Sequence, residues 1–278
     1  MKTKLIMLEG IPGSGKTTTS QYISELLSEK ELYNDLYIEG NINHPADFEG
    51  IACLTENQYR EILSKYTEFA DIIESISDKG VNNNIYEITY MKYKDVIPNS
   101  LLRALEQYDV YHLPNELYCQ LLLERWESFS DNAKKESKIT IFDCAFLQNP
   151  INTLLARDDL PVSDIKRFIF KLADIIKDLN PVIIYYYQDN IGESVKKIKS
   201  KRSTEWFERS IWYYTKQKFG EVRNLNGLEG VIHYLEIRKQ VELEIVNSLT
   251  IDKLLLNNSS FDWESMYKEI RTFMETKL

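Results

Sequence analysis

The octapeptide Gly10-Ile11-Pro12-Gly13-Ser14-Gly15-Lys16-Thr17 fills the pattern G-x-x-x-x-G-K-[ST] at every position, and it constrains the fold more than any other feature of the 278 residues. Lys4-Leu5-Ile6-Met7-Leu8 before it is an apolar run of strand length with no helical period, which predicts a buried parallel strand. After it, Tyr22, Ile23, Leu26 and Leu27 recur at three- and four-residue spacing, which predicts a helix from Lys16 to about Leu27. Strand, glycine turn and helix together are the context in which this pattern cradles phosphate. The glycines Gly10, Gly13 and Gly15 let successive backbone N–H groups turn toward one point, and the helix N-terminus adds free donors and partial positive charge. Lys16 is expected to neutralise the β- and γ-phosphates and Thr17 to ligate Mg²⁺, with Pro12, Ser14 and Thr18 completing the loop.

Four further segments read as buried strands: Leu36–Ile38, Ile139–Phe142, Val182–Tyr187 and Lys253–Leu256. Helical periodicity separates them, as in Ile165–Lys177 and Trp263–Met274. Alternation of this kind predicts an α/β protein with the P-loop NTPase fold, a mainly parallel five-stranded sheet flanked by helices. Residues 55–132 carry no convincing buried strand, and helices are expected over Tyr59–Ile73 and Leu117–Phe129. This span reads as a mostly helical insertion between strands two and three, with Ser77–Tyr93 and its asparagine run Asn82–Asn84 the least regular part. With no repeat and no Pro/Gly-rich linker, residues 1–278 read as one elaborated domain.

The formal net charge of −9 argues against general nucleic-acid binding, which needs a basic footprint, while leaving room for a local basic stripe. No apolar stretch approaches the roughly 18 residues of a membrane span, and the short apolar run before Glu9 does not suit a signal peptide. Cys53, Cys119 and Cys144 are widely spaced with no CxxC pair, so reduced thiols and a cytoplasmic location are expected.

The loop, the strand-end carboxylates Glu39 and Asp143, and the cationic run Lys196-Lys197-Ile198-Lys199-Ser200-Lys201-Arg202 together resemble the nucleoside and nucleotide kinase branch of P-loop proteins. That branch includes thymidylate kinases, deoxynucleoside kinases and chloramphenicol phosphotransferase. The resemblance covers roughly residues 1–50, 135–210 and 250–278. It implies ATP and Mg²⁺, Glu39 as the base for an acceptor hydroxyl, and acceptor contacts from the polar stretch holding His44 and Asp47. It also implies a metal-holding role for Asp143 and a lid over 190–210, in which Lys197, Lys201 and Arg202 close on the phosphates. The family's pair of carboxylate and arginine is replaced here by Asp143-Cys144. Another cation must then serve, and Arg125 is the candidate. Gln148 and Asn149 offer amides for a polar substrate.

The expected activity is transfer of the ATP γ-phosphate to a hydroxyl of a small molecule: a nucleoside, a nucleotide or an antibiotic-like acceptor. These residues set neither the acceptor's identity nor the oligomeric state. A regulatory P-loop ATPase that switches protein partners is the alternative. The common guanine-reading motif Asn/Thr-Lys-x-Asp is absent, so ATP is the expected nucleotide.

Overall fold

The computed structural model describes residues 2–80 and 84–278, so Asn82 and Asn83 of the asparagine run lie outside it. In chain order the strands are β1 (Leu5–Gly10), β2 (Asn34–Tyr37), β3 (Ala52–Thr55), β4 (Ser77–Lys79), β5 (Ile85–Ile88), β6 (Ile139–Asp143), β7 (Val182–Tyr187) and β8 (Asp252–Asn257). The chain divides into two compact units, Met1–Glu39 with Ser130–Leu278, and Gly40–Phe129.

The first unit holds a five-stranded sheet in the order β2-β6-β1-β7-β8, and every neighbouring pair is parallel. This is the P-loop NTPase architecture expected from the alternating pattern. β1 is central, and Leu5, Ile6, Met7 and Leu8 are wholly buried because helices cover both faces of a parallel sheet. On one face Ile6 and Leu8 pack in a cluster with Ile23 and Leu27 of the helix Lys16–Glu29 and with Ile270 and Met274 of the helix Trp263–Glu275. Each such side chain contributes roughly 1.5–3 kcal/mol by leaving water. The order of the strands reverses between β1 and β6. Ligands of open α/β sheets bind at that point, beyond the carboxyl ends of the strands. On the other side of β1 the polar tails of β7 and β8 are tied together, with Asn257 Nδ2 donating to Asp189 Oδ2 at 2.9 Å.

The second unit differs in two respects from the mostly helical insertion expected over 55–132. It contains a three-stranded antiparallel sheet in the order β3-β5-β4, and it spans 40–129. The strands are three or four residues long, and β4 (Ser-Asp-Lys) is half-buried or exposed, so no apolar run marks it in the sequence. The unit begins at Gly40, and Ala46, Phe48 and Ile51, which precede the expected insertion, are buried. Its helices are Glu56–Lys65, Ala70–Ser75, Asn99–Glu106 and the N-terminal part of Asn115–Lys135. The first of these starts with a reciprocal capping box between Thr55 and Gln58, which satisfies two end donors at once. Among the described residues no helix is long and apolar enough to cross a membrane.

Candidate functional site

The loop predicted to cradle phosphate leaves β1 at Gly10 and enters the helix Lys16–Glu29 directly after Gly15. Gly10 has φ +136, and a Cβ there would lie 2.2 Å from the Tyr186 carbonyl oxygen, so no other residue fits. Gly13 has φ +74, and its Cβ would fall 2.4 Å from Ile198 Cγ1 of the helix Ile191–Lys201. The helix behind the loop has neither a side-chain cap nor an acidic residue in its first turn. Its first N–H groups and its positive end are therefore offered to an anion instead of being neutralised internally.

Lys16 is buried, and its ammonium donates to the carbonyls of Gly10 at 3.1 Å and Ile11 at 3.0 Å. Burial works against its charge and the nearby carboxylates Glu39 and Asp143 work for it, and the balance leaves the pKa above the ordinary lysine value. Thr17 Oγ1 donates to Asp143 Oδ2 at 2.5 Å, across 126 positions of sequence. A hydroxyl and a carboxylate side by side are hard oxygen donors of the kind Mg²⁺ takes when phosphates and waters complete its shell. No group of three or more His, Cys, Asp or Glu side chains suited to a metal occurs among the described residues. The donor set therefore fits a phosphate-borne Mg²⁺ and not an all-protein metal cage.

Glu39 lies two residues beyond β2 and is exposed. Its Oε1 accepts from Gln148 Nε2 at 2.7 Å, so this amide orients a carboxylate, where the sequence suggested a substrate contact. Cys144, in the position where the resemblance expects arginine, sits in the left-handed region at φ 75. Its Sγ is 3.0 Å from Asp143 Oδ1 and 3.7 Å from Glu39 Oε2. Burial pushes its thiol pKa well above the ordinary value, so the sulfur stays protonated and serves as a donor between two carboxylates. A non-glycine residue in this region stores strain, and such outliers cluster at functional sites.

Two features of the site escaped the sequence reading. Glu9, wholly buried at the end of β1, accepts from the backbone N–H of Phe146 at 2.8 Å and of Gln148 at 3.0 Å. It thereby holds the segment that follows β6, and burial pushes its carboxyl up to about 8. The signal was a carboxylate within an otherwise apolar strand. The other is the ion pair Arg238–Glu242 at 3.0 Å, wholly buried on the helix Gly227–Ser248. Both fall on that helix's apolar stripe of Val231, Tyr234, Leu235, Val241 and Ile245, where a charge pair is out of place. Arg238 Nη2 donates to the Gly10 carbonyl at 3.1 Å.

Residues 190–210, expected as a lid, fold as the helix Ile191–Lys201 and the first part of the helix Thr204–Thr215, capped by Asn190 and Ser203. Ile198 faces Gly13, while Lys197, Lys201 and Arg202 are exposed. Lys197 Nζ lies 3.0 Å from the centroid of Phe261, and the Arg202 guanidinium lies 5.5 Å from that of Trp206. Tyr214 stacks on Tyr234 at 4.6 Å as part of the core.

His44, Asp47 and Arg125 gather within the second unit. His44 is buried, its Nδ1 accepts from the Ala46 N–H at 3.1 Å, and burial lowers its pKa to about 4, so it is neutral at pH 7. Asp47 accepts from the Phe48 N–H at 2.8 Å and from the Tyr111 hydroxyl. Arg125 pairs with Glu87 at 2.7 Å and lies over the Phe48 ring. His44 and Arg125 line a cavity of about 420 Å³ together with Asn43, Asp78, Thr89 and Lys92.

No family model matches the chain, and no curated protein matches it. Among solved structures, thymidylate kinase from Candida albicans is similar at a TM-score of 0.43 and 14% identity, over 98% of this chain and 92% of that one. The YGR205w protein is similar at 0.35 and 13%, over 92% and 86%. At such scores neither likeness bears on the chemistry.

Proposed function

We propose that the chain is an ATP-dependent phosphotransferase that moves the γ-phosphate to a hydroxyl of a small molecule: a nucleoside, a nucleotide or an antibiotic-like acceptor. One observation carries the reading. An exposed carboxylate, Glu39, is oriented by Gln148 beside Asp143, Thr17 and Lys16 at the end of one sheet. A loop that only bound phosphate would need Lys16 and Thr17 but no oriented base.

In this reading the loop from Gly10 to Thr18 and Lys16 hold the phosphates of ATP, and Thr17 and Asp143 hold Mg²⁺. The bound Mg·ATP supplies the transferable phosphoryl group and neutralises part of its charge. Glu39 accepts the proton of the attacking hydroxyl. Gln148 and the Cys144 thiol keep the carboxylate aimed. Lys197, Lys201 and Arg202 add positive charge where charge spreads over the phosphoryl oxygens. The neutral His44, with Asp47 and Arg125, is proposed as an acceptor-recognition group of its own unit. A cytoplasmic location belongs to the same proposal, since buried thiols such as Cys53 and Cys144 suit a reducing compartment.

The test is Mg·ATP turnover against a panel of hydroxyl compounds, with phosphorylated product detected by mass. Glu39→Gln should cut single-turnover transfer by about 10²–10⁴-fold and leave ATP affinity unchanged. Hydrolysis without any acceptor product, stimulated by a protein partner, would replace the kinase by the regulatory ATPase.

A further inference from the structure

The cation that the resemblance expects after Asp143 is missing, yet the phosphate loop has a buried cation from elsewhere. Arg238 is supplied by the helix Gly227–Ser248, from a span outside the stretches that carry the resemblance. Its guanidinium is wholly buried and reaches three groups: Gly10 O at 3.1 Å, Asn152 Oδ1 at 3.0 Å and Glu242 Oε1 at 3.0 Å. Glu242 is fixed in turn by the Tyr185 hydroxyl, which donates to its other oxygen at 2.8 Å. Replacing a buried ion pair with apolar residues of the same volume is often neutral or stabilising, so stability alone gives little reason for it.

The partners suggest another reason. The Gly10 carbonyl that Arg238 binds is the same one on which the Lys16 ammonium rests at 3.1 Å. The Cβ position of Gly10 is filled by the Tyr186 carbonyl, so one side of this residue is walled by β7. Arg238 pins its carbonyl. Asn152 opens a π-helical turn, Asn152–Arg157, directly after the short helix Gln148–Ile151 that carries the Glu39 partner. Tyr234 donates to the same Asn152 oxygen at 2.9 Å. π-helical turns of this kind recur at functional sites.

We infer that Arg238 is a positioning residue of the phosphate loop: it holds the Gly10 carbonyl that seats Lys16 and, through Asn152, ties that loop to the segment orienting Glu39. The inference rests on the nucleotide-binding reading of Lys16. It adds that a five-donor fork from a distant helix sets where the lysine charge is presented.

The experiment compares Arg238→Met/Glu242→Gln with the parent, each with and without Lys16→Ala, by calorimetric titration with Mg·ATP and by thermal melting. Glutamine keeps an acceptor for Tyr185, and no buried charge is left without a partner. The pair of changes should weaken Mg·ATP binding about tenfold in the Lys16 background, the effect of losing one buried hydrogen bond. In the Lys16→Ala background the same changes should alter affinity by less than about twofold, because the seat no longer holds a lysine. Equal losses in both backgrounds, or unchanged affinity in the first, would overturn the proposal. A parent that does not bind Mg·ATP would overturn the nucleotide reading as well. Arg238→Lys keeps a cation for Glu242 but loses the fork. It should melt like the parent and bind Mg·ATP more weakly, and parent-like affinity in this variant would also refute the role.

Discussion

The pH dependence of stability should carry the mark of Glu9. Its carboxyl is wholly buried, and burial, aided by the charge of Glu242, outweighs the N–H groups of Gln148, Leu147 and Phe146 to bring its pKa from 4.5 to about 8. Below pH 4.5 both folded and unfolded chains hold the proton. Between 4.5 and 8 the unfolded chain has released it while the folded chain keeps it, so each added pH unit disfavours the fold. The loss runs at about 1.4 kcal/mol per pH unit and reaches up to about 5 kcal/mol at the top of the window. Above pH 8 both states are ionised and the contribution is flat.

Glu9→Gln removes this titration while keeping the side-chain size. A protonated carboxyl still has lone pairs on both oxygens for the N–H groups of Phe146 and Gln148, whereas an amide accepts through one atom only. The lost bond should cost about 1–3 kcal/mol at every pH. The variant is therefore expected to be less stable than the parent at pH 5 and more stable at pH 8, with the two curves crossing in between. Urea unfolding of both proteins at pH 5, 6, 7 and 8 measures this, and titrations elsewhere cancel in the difference. A parent-minus-variant difference that does not change with pH would refute the reasoning.

Asp143→Asn should raise the Mg²⁺ concentration needed for half-maximal turnover, since the Thr17 hydroxyl and the metal both lose a charged oxygen. Superimposable metal titrations of variant and parent would make Asp143 a structural strand end. Lys201→Ala combined with Arg202→Ala should lower kcat more than it weakens ATP binding if, as proposed, these cations act on the reacting state. A rise in KM with kcat intact would assign them to ground-state binding.

The legible part of the site is the part encoded by neighbours in sequence. The loop and its helix follow from residues 4–27 alone, and two carboxylates are legible near strand ends, Asp143 closing β6 and Glu39 two residues past β2. Their relations were less visible. Thr17 meets Asp143 and Gln148 meets Glu39 only because β2, β6 and β1 lie side by side, which no local pattern states. The sheet of the second unit is not legible because Ser-Asp-Lys and Ile-Tyr-Glu-Ile are short, partly solvated strands without an apolar run. Arg238 was the hardest to foresee. A charge on an apolar helical stripe signals a buried partner, but nothing in the sequence joins it to a glycine 228 positions away.

The charges also explain why the site needs help from outside its core. At pH 7 the group around the loop holds two cations, Lys16 and Arg238, against the carboxylates Glu39, Asp143 and Glu242, while Glu9 keeps its proton. The balance is one negative charge before any nucleotide arrives. Triphosphate entering such a site meets donors from the helix N-terminus but no surplus of positive charge, and Coulomb repulsion in a partly buried setting is not screened away. Lys16 alone cannot offset it. In the proposed reaction positive charge would come with the nucleotide, as Mg²⁺ held by Thr17 and Asp143, and from the helix Ile191–Lys201, whose buried Ile198 lies against Gly13. That helix end carries Lys196, Lys197, Lys199, Lys201 and Arg202 in a chain whose net charge is −9. For the proposed phosphotransferase, a loop with one lysine set among carboxylates would then bind its nucleotide only with the metal present and the cationic segment near, which would tie binding to the state in which transfer is proposed.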